Sequence, residues 1–191
     1  MLEEEYEKRR SLPRHLRPPA PPEPGFAYGI RSATVTDVPS VREIYNHYVL
    51  NSSVTFDEHP ASLASIRQRW ETTQKLGFPF LVAESPSGQL LGFAYVIPLS
   101  QRANARRLVE DLIYLGPAAS GRGLGRALLG ELLDRAKAAG VKSVTAVIAD
   151  TNAEASIRLH EGFGFRRVGT MGRVGYKFGR WLGTIVMEKR Y

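Results

Sequence analysis

The stretch Gly116–Gly130, GPAASGRGLGRALLG, constrains the fold more than any other part of the chain. It follows an apolar run, Leu108 to Leu115, and leads into Leu124, Leu128, Leu132 and Ala136, with Leu129 and Leu133 alongside, which is the spacing of one helical face. Gly121, Gly123 and Gly125 alternate with Arg122 and Leu124, so the backbone there can approach a ligand without intervening side chains. This predicts a strand, a glycine turn and a helix that starts among the glycines. The free N–H groups of such a helix start, at the positive end of its dipole, form an anion site, to which Arg122 and Arg126 add charge. The stretch reads as a cradle for a diphosphate.

A chain of 191 residues with 43% apolar content suits one α/β domain with a substantial core. No run approaches the roughly 20 apolar residues of a membrane span, and the first residues lack the basic-then-apolar order of a secretory signal. The expected location is therefore the cytoplasm, with no membrane partner. Cysteine is absent, which excludes disulfides, thiolate metal sites and a thiol nucleophile. His15, His47, His59 and His160 show no metal-ligand spacing, so no metal is expected. The formal charge of +7 points to an anionic partner. Its basic residues form no recognition helix or RNA motif, which ranks nucleic acid below a phosphate-bearing cofactor.

Residues 1–27 hold six of the twelve prolines, and their five acids and five bases cancel. This segment reads as a disordered extension, and residues 28–191 as the domain. Within the domain, Ala27–Ala33 is expected as a strand, followed by a helix capped by Thr36 or Asp37 with Val38, Val41, Ile44, Tyr45 and Tyr48 on its apolar face. A second helix follows Ser62. Ser52–Asp57, between the two, reads as a polar and aromatic loop able to border a pocket. Phe80–Glu84 and Leu90–Ile97 read as a hairpin around Ser85–Gly88. Leu108–Leu115 carries large apolar residues in both alternating sets, as a strand covered on two faces does. Beyond the glycine helix, which ends at Gly140, come a strand at Ser143–Ala149, a short helix at Asn152–Glu161 and strands at Phe165–Val174 and Trp181–Glu188. The order predicts a mixed sheet with helices on both faces.

Two acids interrupt the most apolar strand. A carboxylate there is costly unless paired or useful, and burial raises its pKa toward that of a working base. Glu110 is therefore either a base or the partner of Arg106 or Arg107, while Asp111 reads as an ion-pair or hydrogen-bond residue.

Further along, the chain carries Ile44-Tyr45-Asn46-His47, Val54-Thr55-Phe56, Glu110, Thr145-Ala146-Val147-Ile148, Asn152, Ser156, Leu159-His160-Glu161, Gly164-Phe165 and Gly175-Tyr176-Lys177-Phe178-Gly179-Arg180-Trp181. In this order and with the glycine loop they resemble the GNAT superfamily of N-acetyltransferases, and within it the phosphinothricin and methionine sulfoximine acetyltransferase group. The resemblance implies a mostly antiparallel central sheet splayed between its fourth and fifth strands, acetyl-CoA as co-substrate and a homodimer. It implies coenzyme contacts at Leu112, Ile113 and Tyr114, along the loop Ser120, Gly121, Arg122, Gly123, Leu124, Gly125 and Arg126, and at Asn152 and Ser156. Ser120 stands where the family's loop has glutamine or arginine. Glu110 matches the catalytic glutamate, and His160 takes the place from which the leaving thiolate is protonated. Arg102, with Arg106 nearby, matches the basic loop that binds the acceptor's carboxylate; Phe56 and Trp70 are candidate apolar walls, and Ala105 replaces a usual aromatic residue. The expected activity is acetyl transfer to the primary amine of an amino-acid analogue, by direct attack in a ternary complex. Rival readings are a peptide N-terminus, polyamine or aminoglycoside as acceptor, and a non-catalytic acyl-CoA or nucleic-acid binding module.

Overall fold

The computed structural model describes residues 26–100 and 107–191. Seven strands, β1 (Gly29–Ser32), β2 (Phe80–Glu84), β3 (Leu90–Pro98), β4 (Leu108–Leu115), β5 (Ser143–Ala149), β6 (Arg166–Lys177) and β7 (Arg180–Arg190), form one sheet in the order β1-β2-β3-β4-β5-β7-β6. Four helices, α1 (Val38–Asn51), α2 (Leu63–Lys75), α3 (Leu124–Ala138) and α4 (Glu154–Glu161), connect them. Every strand pairing is antiparallel except β4 with β5. Among the described residues no helix is long and apolar enough to cross a membrane.

Period-two alternation builds two cores, one on each face of the sheet. Phe80, Val82, Phe93, Tyr95 and Tyr114 point to one face, where α1 and α2 cover them with Val41, Tyr45, Val49 and Ile66. Leu81, Ala83, Ala94, Val96 and Val109 point to the other, against Leu124, Leu128, Leu129, Leu132 and Leu133 of α3. The six buried residues of α3 keep the helical spacing read from the sequence. The helices α1 and α2 start differently. Ser62 caps α2 by accepting from the Ser65 N–H at 3.1 Å. Before α1 the chain first makes a single 3₁₀ turn, Val35–Asp37; Asp37 stands at the N-cap of α1 as expected, but its carboxylate turns back to accept from the Thr34 N–H at 2.7 Å and pair with Arg31. These contacts hold the Asp37 carboxyl down at about 2, the Arg31 hydrogen bond first among them.

The parallel pairing is short. Leu108, Val109 and Glu110 pair with Ser143, Val144 and Thr145, and beyond Glu110 the two strands separate. β4 stays paired with β3 up to Leu115, and β5 with β7 up to Ala149, so the sheet opens as a wedge without leaving either half unsupported. At the far edge, β6 and β7 form a hairpin closed by Phe178 and Gly179, both with positive φ, as a type I′ turn requires.

Candidate active site

The wedge holds a cavity of about 630 Å³, lined from β4 by Glu110 through Leu115, from β5 by Ala146 through Ala149, from α4 by Ser156 and His160, and from the other face by Tyr45, Phe56, Asp57, Arg69 and Tyr95. The opening of the sheet creates it: the side chains that would fill the space in a continuous sheet have no neighbouring strand.

Strand alternation sends the two adjacent acids to opposite faces. Glu110 lies on the α1–α2 side, opposite Ile97 on β3, half-buried, and makes no hydrogen bond or ion pair with the described residues, Arg107 included. Burial, and second the charge of Asp111, push its carboxyl up to about 7. Asp111 lies on the α4 side and meets His160, whose Nε2 is 3.1 Å from Asp111 Oδ2. His160 Nδ1 is 2.7 Å from the Ser156 carbonyl. Burial works against a charge on this imidazole, but the Asp111 carboxylate and the Ser156 carbonyl outweigh it and raise its pKa. Both ring nitrogens thus face protein acceptors, and both donate when the imidazole is protonated. These two contacts occupy the ring nitrogens of the residue that the resemblance expects to protonate the thiolate. Asp111 Oδ1 has no hydrogen-bond partner among the described residues.

At the glycine end, α3 begins at Leu124 with Gly123 as its N-cap, at φ +80°, and Gly121 has φ +76°. No atom lies within 4 Å of where a side chain would start at either position, and no side chain caps the helix. The open backbone with uncapped N–H groups fits an anion laid along Gly121–Arg126. Arg122 and Arg126 flank it, each stacked on a ring, Arg122 over Phe26 at 5.0 Å and Arg126 over Phe163 at 5.2 Å. Leu112, Ile113, Tyr114, Gly125, Asn152 and Ser156 line the cavity itself, whereas Leu124 turns its side chain into the core. Asn152 is not the first residue of its helix. It takes φ +55°, which asparagine tolerates, and Ala153 stands at the N-cap.

On the α1–α2 side of the cavity the structure brings together residues that the sequence alone leaves apart. Tyr45 donates to Asp57, Arg69 lies 4.7 Å over the Tyr45 ring and 3.4 Å from Asp57, and Tyr95 lies 3.5 Å from Arg69. Phe56 reaches the cavity, but Trp70 does not; its indole N–H donates to the Ala33 carbonyl at 3.1 Å in the core of α1 and α2. Arg102 and Arg106 lie outside the described residues.

Known proteins resemble this chain in sequence and fold. A family model, the acetyltransferase (GNAT) domain, matches residues 30–186. The L-methionine sulfoximine/L-methionine sulfone acetyltransferase of Pseudomonas aeruginosa is 41% identical over 83% of this chain and 92% of its own. The phosphinothricin N-acetyltransferase of Alcaligenes faecalis is 36% identical over 84% of this chain and 81% of its own. A crystal structure of a GNAT superfamily phosphinothricin acetyltransferase from Sinorhizobium meliloti, in complex with acetyl-CoA, superposes with a TM-score of 0.82 at 40% identity, covering 85% of this chain and 88% of that one. With the parted sheet, the glycine turn and the sequence in agreement over most of its length, this chain belongs to the GNAT family of acetyl-CoA-dependent N-acetyltransferases.

Proposed function

We propose that the chain acetylates the primary amine of a small amino-acid-like molecule of the phosphinothricin or methionine sulfoximine type, by direct attack within a ternary complex. The observation that carries this reading is Glu110: a carboxylate without a partner among the described residues, raised to about 7, facing the cavity where the sheet opens. An amino acid presents its amine as an ammonium, which cannot attack. Glu110 takes that proton, and near pH 7 a group of this pKa is present as base in useful amount. When bound, acetyl-CoA supplies the acetyl group as a thioester, whose C–S bond breaks as the C–N bond forms. Gly121–Arg126 hold the diphosphate, and Asn152 and Ser156 face the pantetheine arm. The nitrogen sheds a second proton as the amide forms, and the departing thiolate, whose conjugate thiol has a pKa of about 8.5, takes it, so the balance needs no separate acid such as His160. On the acceptor side, Phe56 forms an apolar wall and Arg102, with Arg106, meets the carboxylate.

The enzyme works in the cytoplasm as a homodimer in this reading. Val168, Met171, Val174, Tyr176, Phe178 and Trp181, all about half exposed on the β6–β7 hairpin, offer apolar surface for a second copy.

The test is release of free thiol from acetyl-CoA against methionine sulfoximine, methionine sulfone, phosphinothricin, ordinary amino acids, polyamines and short peptides. Release with the amino-acid analogues supports the reading; release only with polyamines or peptides replaces the acceptor class. For the cradle, Gly123→Val is expected to weaken acetyl-CoA binding by about 100-fold or more, because valine at positive φ is a steric outlier and its methyl groups would enter the open space before α3. Calorimetric titration checks this, and an affinity within threefold of the parent would remove the diphosphate from this turn.

A further inference from the structure

The run Gly175–Trp181 stands out in the sequence, yet the chemistry above makes no use of it. Lys177 belongs to that run and is only 5% exposed. Its ammonium group donates to the carbonyls of Ser52 and Thr55, both at 2.8 Å, across more than 120 positions of sequence. Two residues earlier, Gly175 receives the ring of Phe56: a side-chain carbon at Gly175 would lie 2.6 Å from Phe56 Cδ1. The segment held in this way is the loop after α1 that lends Val54, Thr55, Phe56 and Asp57 to the cavity. On its other side Tyr45 grips the same loop through Asp57, with Thr55 Oγ1 at 3.4 Å. Within itself the loop has only short hydroxyl bonds, Val54 N–H to Ser52 Oγ and Asp57 N–H to Thr55 Oγ1.

We propose that the end of β6 clamps the loop 52–57, with Lys177 as a positioning residue that sets the acceptor wall of the cavity. Lysine suits this position because a compact cation can satisfy two converging carbonyls at once, and leaving those carbonyls without a donor in a buried place is costly. Gly175 admits the Phe56 ring, and Lys177 fixes the backbone that carries it. The clamp is placed on the acceptor side because the Lys177 hydrogen bonds and the Gly175 packing run to the loop 52–57.

This inference rests on the acceptor reading above, so its experiment has one readout that needs no activity. In the full-length chain, Lys177→Met is expected to speed hydrogen exchange of the amides in 52–57 about tenfold while peptides of β2–β4 keep their rate. In steady state it is expected to raise KM for the acceptor about tenfold and leave KM for acetyl-CoA within twofold. Combined with Phe56→Leu, its effect on acceptor KM is expected to be less than additive, because both changes act on one loop. Should Lys177→Met not fold, Lys177→Gln, which retains two N–H donors, carries the same measurements with smaller shifts. Unchanged exchange in 52–57 overturns the clamp, as does an equal rise in both KM values. If the parent protein transfers acetyl to no amine, the acceptor reading fails while exchange still decides whether the clamp exists.

Discussion

Replacing Glu110 by glutamine is expected to lower kcat by about 10²–10⁴-fold, the usual worth of a general base, while the Kd for acetyl-CoA stays within about twofold. The same change is expected to stabilise the protein at alkaline pH. A buried carboxyl whose pKa is raised from 4.5 to about 7 binds more protons folded than unfolded, so its ionisation costs stability as pH rises between these values. The gap corresponds to about 2–3 kcal/mol against the folded state above pH 7, after allowance for its partial exposure. Glutamine has no charge to bury. At pH 8 its melting temperature should therefore exceed the parent's by about 4–10 °C, and at pH 4 the two should coincide. The parent's rate is expected to climb about tenfold per pH unit below 7 and to level off above it. Thermal melts at the two pH values and a pH–rate profile check this. A flat profile from pH 5.5 to 8, or equal losses in kcat and acetyl-CoA affinity, would give Glu110 a structural role instead. An activity that falls while stability rises is the signature of a residue kept for its chemistry.

What the sequence showed and what it hid follow one physical division. Local periodicity carried the elements: Phe80–Glu84, Leu108–Leu115 and Ser143–Ala149 are strands with the bounds read from the residues, and the apolar face of α3 is the one its leucines spell out. Glu110 stands out in the sequence because a charge in an apolar strand is anomalous by itself, and the structure places it against the cavity. Its neighbour was only half legible. Asp111 reads as a hydrogen-bonding residue, but its partner His160 lies 49 positions away, and no local pattern joins them. Arg69 and Trp70 show the limit more sharply. On a helix adjacent residues point about 100° apart, so the tryptophan that looks like a pocket wall packs inward and the arginine beside it faces the cavity. Lys177 belongs to a run that the resemblance singles out, but no local pattern shows that two carbonyls of a distant loop hold it inside. β6 runs on to Lys177, beyond Val174, through register shifts that the hydrophobic alternation does not record. Asn152 followed the capping preference to the wrong position, since its left-handed backbone serves a turn before the helix.

The pair Asp111–His160 carries the second large effect, and it is expected to fall on stability. Both side chains are nearly inaccessible, at 2% and 6% exposure, and tie β4 to α4 across the opening of the sheet. His160→Ala leaves a buried carboxylate with neither oxygen satisfied by the described residues, because Oδ1 has no partner among them even in the parent. Breaking one side of a buried pair costs about 3–5 kcal/mol, or a fall of roughly 10 °C in melting temperature for a domain of this size. The pH dependence has a definite sign. The pKa of His160 is raised above its ordinary 6.5, so the stability it contributes is full below 6.5 and fades as pH rises through the raised value. The deficit of His160→Ala should accordingly be larger at pH 6 than at pH 9. Removing both charges, as Asp111→Leu with His160→Leu, should recover much of the loss, since no unpaired carboxylate remains. Catalysis separates this role from proton donation. With both ring nitrogens committed to Asp111 and Ser156, His160→Gln is expected to keep kcat within about tenfold of the parent at a temperature where both are folded. A loss beyond about 100-fold in protein that still melts normally would mean that the imidazole leaves Asp111 during turnover and protonates the thiolate after all.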